Sequence, residues 1–416
     1  MVRHGIATPA RLREQKPAVI TIQEARRIVL EQVSPLSRTE RLPVTDCVGR
    51  RLAEDVHADS DMPPFDRVTM DGFAVRAGDT GAGARLSVDG EVAAGARGES
   101  PLLPGTARAI MTGAPLPPGA DAVIQVEWTS LDGQQVEFTA AVRPGQNVAP
   151  QGEDLLTGGV VGQAGQRVTT LGLSLLIASG AADVAVYARP RVALLTSGDE
   201  LVPPGAPIRR GQIRESNGPA LAALFSAMGA EVIRLGVAAD TREDLARLVK
   251  QGLQADLVVL TGGSSVGRYD FSAEVVESFG AECHFRKLSV KPGKPTLFHS
   301  CGGSAVFCLP GNPVAALMTG RVLVALALER MAGGQPAPWP GERLPLLAPL
   351  RRNPQRDLIV PVRVLPEGLA FEGWHGSGDL VCMSRCEAFA FVDRGDEEAP
   401  VGTLCPVFRL PSQPAA

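Results

Sequence analysis

The feature that most constrains this chain is a regular alternation of strands and helices that begins after Arg189-Pro190. Apolar runs rich in Val, Ile and Leu, such as RVALLT (191–196) and DLVVL (256–260), are separated by segments with helical periodicity. Parallel strands need crossover connections, usually helices, and a parallel sheet is buried on both faces. We therefore predict a doubly wound α/β domain over residues 190–335, with its ligand beyond the carboxyl ends of the strands.

Two other regions are typical of β structure. Between residues 52 and 150 short apolar runs are separated by Gly, Pro and Asp, which predicts an inserted β domain. A Pro- and Gly-rich segment at 333–342 reads as a linker, and the strands after it predict a small β domain over 336–411. Helices are predicted at 22–33, with Thr21 as its cap, and at 169–179.

Composition excludes several classes of protein. The 416 residues carry 41 Lys and Arg against 45 Asp and Glu, without a basic block, which argues against binding nucleic acid or an anionic membrane. No apolar stretch is long enough to span a bilayer, and no secretory signal is visible. Seven scattered cysteines without a CxxC pair favour a reducing compartment, and the five histidines show no structural zinc spacing. We expect a cytoplasmic protein.

The loops that follow the predicted strands carry the candidate chemistry. They are Thr196–Glu200, which includes Ser197 and Gly198, then Asp240-Thr241, and Thr261–Gly267 followed by Asp270. Backbone N–H groups, hydroxyls and carboxylates occur together in them, as a phosphate bridged to a hard divalent cation requires. Mg²⁺ is the cation that this combination predicts.

The glycine loop allows three interpretations besides phosphate binding with Mg²⁺. Gly262 and Gly267 have Walker A spacing, but Arg268-Tyr269 replaces the required Lys-Ser/Thr. Residues 263–267 also spell G-x-S-x-G, which would make Ser265 the nucleophile of a serine hydrolase, with Asp270 and a histidine at 284, 299 or 375. A tight turn without a ligand is the third interpretation.

Two further segments offer positive charge. Lys287, Lys291 and Lys294 lie in KLSVKPGKP, where two prolines and a glycine stiffen the loop, so they predict a site for an oxyanion. LPGNP (309–313) leads from a strand into a helix with Pro313 as its first residue, and a helix N-terminus also attracts anions. A solvated basic turn and simple helix capping are the alternatives.

The inserted β domain has its own polar loops. Asp66 and Asp71 lie five residues apart in PPFDRVTMDGF, and Thr112 lies in IMTGAP. The two acids could hold a metal or a polar ligand, or serve only as turn residues.

Taken in order, eight motifs of this chain resemble the molybdopterin molybdenumtransferase family, which includes MoeA proteins and the gephyrin E domain. The motifs span nearly the whole chain and are PPFDRVTMDGFAV, IMTGAPLPPGADAV, GQNVAPQGED, RVALLTSGDELVPPG, GQIRESN, TGGSSVGRYD, KLSVKPGKP and LPGNP.

The resemblance implies a homodimer and a multidomain α/β plus β fold. Its parts would be an elongated domain from two pieces (18–51 and 151–189), the inserted β domain, a molybdopterin-binding α/β domain and a C-terminal β barrel. The implied reaction converts adenylylated molybdopterin and molybdate into molybdenum cofactor and AMP in the presence of Mg²⁺. Molybdopterin adenylyltransferase and molybdoenzyme maturation factors are the implied partners.

The resemblance also assigns roles to residues. The implied catalytic residues are Asp66, Thr112, Asp154, Glu200, Asp240, Asp270, Lys287 and Lys291, of which Glu200, Asp240 and Asp270 would hold Mg²⁺. The implied substrate-binding residues are Ser197, Gly198, Gly262, Gly263, Ser264, Ser265, Lys294, Pro310, Gly311 and Pro313.

The chain departs from the family pattern in two places. Arg67-Val68-Thr69 replaces the frequent Asn-Ser-Ala, and Ala149-Pro150-Gln151 stands where basic residues are frequent.

Two other functions stay open from the residues alone: the serine hydrolase, and a non-catalytic scaffold of the gephyrin type.

Overall fold

A computed structural model describes residues 19–262, 271–371 and 373–411. The chain divides into two compact units, a smaller unit of Arg41–Val186 and a larger unit formed by the residues before and after it. The four domain boundaries expected from the sequence are finer than this division and stay predictions.

The helices and strands of both units follow in chain order. The helices are α1 (Ile22–Gln32), α2 (Thr170–Ala178), α3 (Asn217–Ala227), α4 (Arg242–Gly252), α5 (Ser272–Ser278), α6 (Pro313–Thr319), α7 (Ala325–Met331) and α8 (Leu380–Met383), with a π-helical turn (Gly320–Val324) joining α6 to α7. The strands are β1 (Thr39–Pro43), β2 (Val56–His57), β3 (Arg67–Val68), β4 (Gly72–Val75), β5 (Arg85–Val92), β6 (Thr106–Ile110), β7 (Ala122–Gln125), β8 (Thr129–Asp132), β9 (Gln135–Phe138), β10 (Val148–Ala149), β11 (Val160–Gly162), β12 (Asp183–Tyr187), β13 (Arg191–Ser197), β14 (Leu201–Val202), β15 (Ile213–Arg214), β16 (Glu231–Ala238), β17 (Leu257–Thr261), β18 (Glu282–Phe285), β19 (Val290–Lys291), β20 (Leu297–Cys301), β21 (Ser304–Leu309), β22 (Arg343–Pro345), β23 (Leu350–Arg351), β24 (Asp357–Leu365), β25 (Gly368–Ala370), β26 (Ala388–Val392), β27 (Glu398–Ala399) and β28 (Leu404–Arg409).

The larger unit is built on a six-stranded sheet with the order β16-β13-β17-β21-β20-β18. The first four strands are parallel, and β20 and β18 extend the sheet with antiparallel pairs. Leu194 of β13 and Val259 of β17 lie in one apolar core. Their neighbours Leu195 and Val258 lie in a second core. Neighbouring residues of one strand point to opposite faces, so both faces of the sheet are covered. The predicted doubly wound α/β fold is confirmed.

Helix α1 belongs to the core of the larger unit. Ile22, Ala25 and Val29 are fully buried and share a core with Leu323 and Leu326 of the helical segment at 313–331. The Thr21 hydroxyl caps α1 by accepting from the backbone N–H of Glu24 at 3.2 Å, as predicted.

One cap differs from the sequence prediction. The sequence SNGPALAALFSAMG (216–229) predicts a helix capped by Ser216 or Asn217, but no side-chain bond from the N-cap residue Ser216 of α3 is present. The buried carboxylate of Glu215 accepts from the backbone N–H of Gly218 at 2.6 Å. Glu215 satisfies that amide itself, which leaves the Asn217 side chain available for contacts elsewhere.

The C-terminal strands form a small barrel. Their sheet has the order β19-β24-β26-β28-β22, with β25 on the other side of β24. A bridge between Leu346, just after β22, and Leu369 of β25 brings the two ends together. The predicted linker packs against this barrel, because the ring of Trp339 meets those of Phe391 and Phe408 edge-on at 4.8 and 5.6 Å.

The smaller unit contains the inserted β structure. Its six-stranded sheet, in the order β7-β4-β6-β5-β9-β8, covers a core that includes Phe73, Ile124 and Phe138. Helix α2 buries Leu176 and exposes Leu171 and Ile177. Among the described helices of both units, none is long and apolar enough to cross a membrane.

Candidate active site

The candidate site lies at one edge of the sheet in the larger unit. Four parallel strands end side by side there, since Ser197 is in register with Ala238, and Thr261 with both Thr196 and Leu309. The loops that follow these strands therefore meet at their carboxyl ends, where open α/β sheets bind ligands.

Three of these loops approach each other through their backbones. Gly262 has a φ of +97°, and a Cβ on it would lie 2.2 Å from the carbonyl oxygen of Ser197. A Cβ on Gly311 would lie 3.4 Å from the Cα of Gly262. Only glycine fits at position 262, because another side chain would push the two strand ends apart.

Acidic residues occupy one end of this edge. The backbone N–H of Asp240 donates to Asp199 Oδ1 at 3.1 Å, and that of Asp199 donates to Asp240 Oδ2 at 3.4 Å. A Cβ on Gly198, whose φ is +151°, would lie 2.8 Å from both carboxylate oxygens of Glu200, so this carboxylate folds back over its own loop. The two loops thus hold three carboxylates near one another.

The negative charges of these three acids repel one another. Partial burial raises the pKa of Asp240, and the neighbouring charges of Asp199 and Glu200 raise it further. Repelling carboxylates of this kind are stabilised by a divalent cation, and oxygen is the ligand that Mg²⁺ prefers. The described acids fit the predicted metal, while the third predicted ligand, Asp270, lies outside the described residues.

A side chain that the sequence did not single out joins the central loops. Asn217 donates from Nδ2 to Gly311 O at 2.7 Å and to Thr261 Oγ1 at 3.1 Å. The Thr261 hydroxyl in turn donates to Pro310 O at 2.9 Å. The sequence predicts Asn217 only as a helix cap, and its position at the start of α3, shortly after the strand β15, is the signal that could have found it.

The lysine loop starts and ends at the same edge of the sheet. Phe285 of β18 pairs with Phe298 of β20, and Leu297 pairs with Cys308 near the carboxyl end of β21. Lys287, Lys291 and Lys294 between these strands are all exposed.

Backbone and packing contacts hold the lysine loop in place. Leu288 N donates to Lys294 O at 2.9 Å, and Thr296 Oγ1 donates to Gly293 O at 2.7 Å. A Cβ on Gly293 would lie 2.7 Å from Thr319 Cγ2, so the loop packs on the helix that follows LPGNP. The backbone that carries the three lysines is thereby held beside the strand ends.

The LPGNP turn is formed as predicted but offers fewer free amides. Pro310 is buried, Gly311 is exposed and Pro313 is the first residue of α6. However, the Val314 N–H donates to Ser377 O at 3.1 Å, and Asn312 Nδ2 donates to Ser377 Oγ at 2.7 Å. Ser377 therefore occupies one donor that an anion at this helix N-terminus could have used.

The smaller unit contains three of the predicted site residues, Asp66, Thr112 and Asp154. They lie on neighbouring loops, and all three are exposed. Asp66 Oδ1 accepts from Gln151 N at 2.8 Å, three residues before Asp154. The backbone N–H and hydroxyl of Thr112 both donate to Asp71 Oδ1 at 2.7 Å, and these bonds lower the pKa of Asp71.

Comparison with known proteins gives a consistent result. The family model for the MoeA N-terminal region (domain I and II) matches residues 20–180, and that for a probable molybdopterin binding domain matches 193–330. The molybdopterin molybdenumtransferase of Haemophilus influenzae is 38% identical over 319 residues, covering 76% of this chain and 78% of that protein. The chain belongs to the molybdopterin molybdenumtransferase family.

The likeness to this family extends over the whole chain. The Nostoc molybdopterin molybdenumtransferase is 31% identical over 434 residues and covers 99% of this chain and 98% of that protein. A crystal structure of a molybdopterin biosynthesis MoeA protein from Pyrococcus horikoshii is 32% identical, with a TM-score of 0.81, over 95% of this chain and 100% of that chain. The family and the multidomain α/β plus β fold expected from the eight motifs are confirmed.

The alternatives are not favoured by these molybdenumtransferase relatives. Ser265, the nucleophile of the hydrolase hypothesis, lies outside the described residues, as do Gly263 and Ser264. Of the candidate histidines, His284 contacts Ser300 and His375 contacts Asp379. The role of each site residue stays a prediction.

Proposed function

We propose that this chain inserts molybdate into adenylylated molybdopterin, releasing AMP and forming molybdenum cofactor. The observation that carries the proposal is the single edge on which the acidic loops, the glycine turns and the lysine loop meet. All of these loops lie within the span matched by the molybdopterin binding model.

The charges along this edge suit the two substrates. Molybdate and the phosphates of adenylylated molybdopterin are oxyanions, so Lys287, Lys291 and Lys294 would bind them as point charges. The glycine turns at Gly198, Gly262 and Gly311 let the substrate approach the backbone closely. Positioning and charge stabilisation would then supply the catalysis without a protein nucleophile.

The proposal includes Mg²⁺ at the acidic end of the edge. Glu200 and Asp240 would hold it among the described residues, with Asp270 as the third predicted ligand. When bound, the ion would neutralise charge on the phosphates that leave with AMP. Asp240 would also fix its own loop through the paired bonds to Asp199.

A homodimer is the second part of the proposal, and it is supported by an uncovered apolar helix. Leu171 of α2 is 84% exposed, and Leu175 and Ile177 are also exposed. Exposed apolar clusters of this kind favour protein contacts, and a second copy is the partner that the family resemblance implies. In such a dimer, Asp66, Thr112 and Asp154 would serve the site of the other copy.

The chemistry of the reaction defines the other expected partners. We expect a molybdopterin adenylyltransferase to supply the substrate and maturation factors of molybdoenzymes to receive the product. The cytoplasmic location expected from the sequence stays a prediction.

The direct test is incubation with adenylylated molybdopterin, molybdate and Mg²⁺, following AMP and active cofactor together. Lys291→Ala should reduce molybdate-dependent AMP release by about tenfold or more, because one charge-assisted contact contributes roughly 1.5–3 kcal/mol. Lys250→Ala is the matched control, since Lys250 lies in the last turn of α4, remote from the strand ends. Wild-type protein that releases no AMP with molybdate, or a fully active Lys291→Ala variant, would contradict the proposal.

A further inference from the structure

Three metal-ligating side chains lie together in the larger unit, two on one face of the sheet and one on the helix that covers this face. They are Glu277 of α5, Cys283 of β18 and His299 of β20, and one donor atom from each lies within 4.8 Å of the others. Among the described residues this is the one group of three or more such side chains at that spacing.

Strand pairing brings these residues together. Cys283 and His299 are directly opposite each other in the antiparallel pair of β18 and β20, so their side chains lie on one face of the sheet. Leu297 and Cys301 lie two positions before and after His299, on the same face of β20. They pack in the same core as Val275 and Val276 of α5. Helix α5 therefore covers this face and places Glu277 beside the pair.

The geometry and the chemistry of the three groups suit zinc. Glu277 Oε1 lies 3.3 Å from His299 Nε2. Two ligands at about 2.0–2.1 Å from a tetrahedral zinc ion are separated by roughly 3.3 Å. Imidazole, thiolate and carboxylate are the donors of known zinc sites, and three protein ligands leave a fourth position for water.

His299 is also left unsatisfied by the rest of the protein. Its side chain has no exposed surface, and its Nδ1 atom has no hydrogen-bond partner. Nε2 is the ring nitrogen that faces Glu277 and would bind the metal, whereas the unpaired Nδ1 belongs to the other side of the ring.

Arg286 now supplies the positive charge of this cluster. Its guanidinium donates to Glu277 Oε1 and to the Cys283 thiol. The Arg286 side chain is 37% exposed, so it can turn outward into solvent without unfolding the core.

We propose that Glu277, Cys283 and His299 bind a zinc-class divalent cation, and that this cation and Arg286 are alternative positive charges of the site. Binding would release the Cys283 thiol proton to solvent and turn the Arg286 guanidinium away from Glu277 Oε1. None of the three ligands is assigned to the molybdenum site, and zinc binding is measured separately from AMP release because Arg286 directly precedes Lys287 of the lysine loop.

The test uses the full chain, stripped with a chelator and titrated with Zn²⁺ and with Co²⁺. We expect one bound ion per chain and a thiolate-to-cobalt charge-transfer absorption. Cys283→Ser should abolish this absorption, and His299→Gln should lower zinc affinity by at least about tenfold. Arg286→Met should raise zinc affinity by about tenfold, since it removes the competing cation.

Two variants serve as controls. Arg247→Met removes an exposed arginine that pairs with Asp244, and Cys386→Ser removes a cysteine of the C-terminal segment. Neither should change zinc binding or the cobalt absorption. Circular dichroism and thermal unfolding check that each variant is folded, and if His299→Gln is not folded, Glu277→Gln takes its place.

Other results would overturn the proposal. The first is an Arg286→Met protein that is folded and binds no stoichiometric zinc. The second is a charge-transfer absorption that persists in Cys283→Ser, which would place the metal on another cysteine. An affinity unchanged by Arg286→Met would refute the competition between arginine and metal.

Discussion

Substituting Gly262 tests whether the close approach of the strand-end loops is needed for activity. A Cβ there would lie 2.2 Å from the Ser197 carbonyl oxygen, whereas Cβ atoms essentially never come closer than 3.0 Å to such an atom. In Gly262→Ala the two loops must therefore separate by about 0.8 Å, the difference between these two distances. A misplacement of about 1 Å in a binding site costs roughly 100-fold in rate, which is the loss we expect in molybdate-dependent AMP release.

Gly229→Ala is the matched control for this experiment. Gly229 has a φ of +91°, close to the +97° of Gly262, but a Cβ on it would meet no atom within 4 Å. Both variants carry the same left-handed backbone cost, about 1–2 kcal/mol, so their difference isolates the contact with Ser197. Thermal unfolding and AMP release would be measured for both. Equal stability and equal activity of the two variants would refute the reasoning.

Three other predictions concern the acids, the central loops and the dimer. Burial and neighbouring charges hold the pKa of Asp240 above its ordinary value of 3.8, so its ionisation opposes folding at neutral pH. Asp240→Asn should therefore raise the melting temperature at pH 7 in chelator, and this gain should disappear below pH 3.8. If Asp240 holds Mg²⁺ as proposed, added Mg²⁺ should stabilise the wild type more than the variant. A gain in melting temperature that is independent of pH would contradict the reasoning. Asn217→Ala removes the hydrogen bonds from Nδ2 to Thr261 and Gly311. It should lower the free energy of unfolding by about 1–2 kcal/mol and raise the KM for adenylylated molybdopterin. An unchanged KM would count against the positioning role of Asn217. Leu171→Glu should shift the protein toward monomer in sedimentation, whereas Leu131→Glu, at a site 60% exposed, should not; identical sedimentation of the two would remove the support from α2.

Local sequence determined much of this protein. Thr21 and Thr241 cap their helices where the spacing to Glu24 and Asp244 predicts, and Pro313 begins α6. These features depend on residues three or four apart, so their geometry follows from the helix itself. The eight motifs likewise carried the family resemblance without any knowledge of the fold.

The candidate site was predictable in part, because the carboxyl ends of parallel strands must share an edge. That rule, applied to the sequence alone, places Ser197, Asp240, Gly262 and Pro310 at one edge of the sheet. It did not predict that Ser377, from the C-terminal segment, would bind the N–H of Val314. That contact joins residues far apart in sequence, which no local pattern encodes.

Only the tertiary structure decided which distant groups became neighbours. Asn217 reaches Gly311 across 94 positions of sequence, and Cys283 meets His299 through the register of two strands. The spacing of the histidines and cysteines along the chain argues against structural zinc, yet strand pairing and helix α5 bring Glu277, Cys283 and His299 together. Strand order and register are set by the burial of the whole apolar core, summed over many residues, and a short motif contains none of that information.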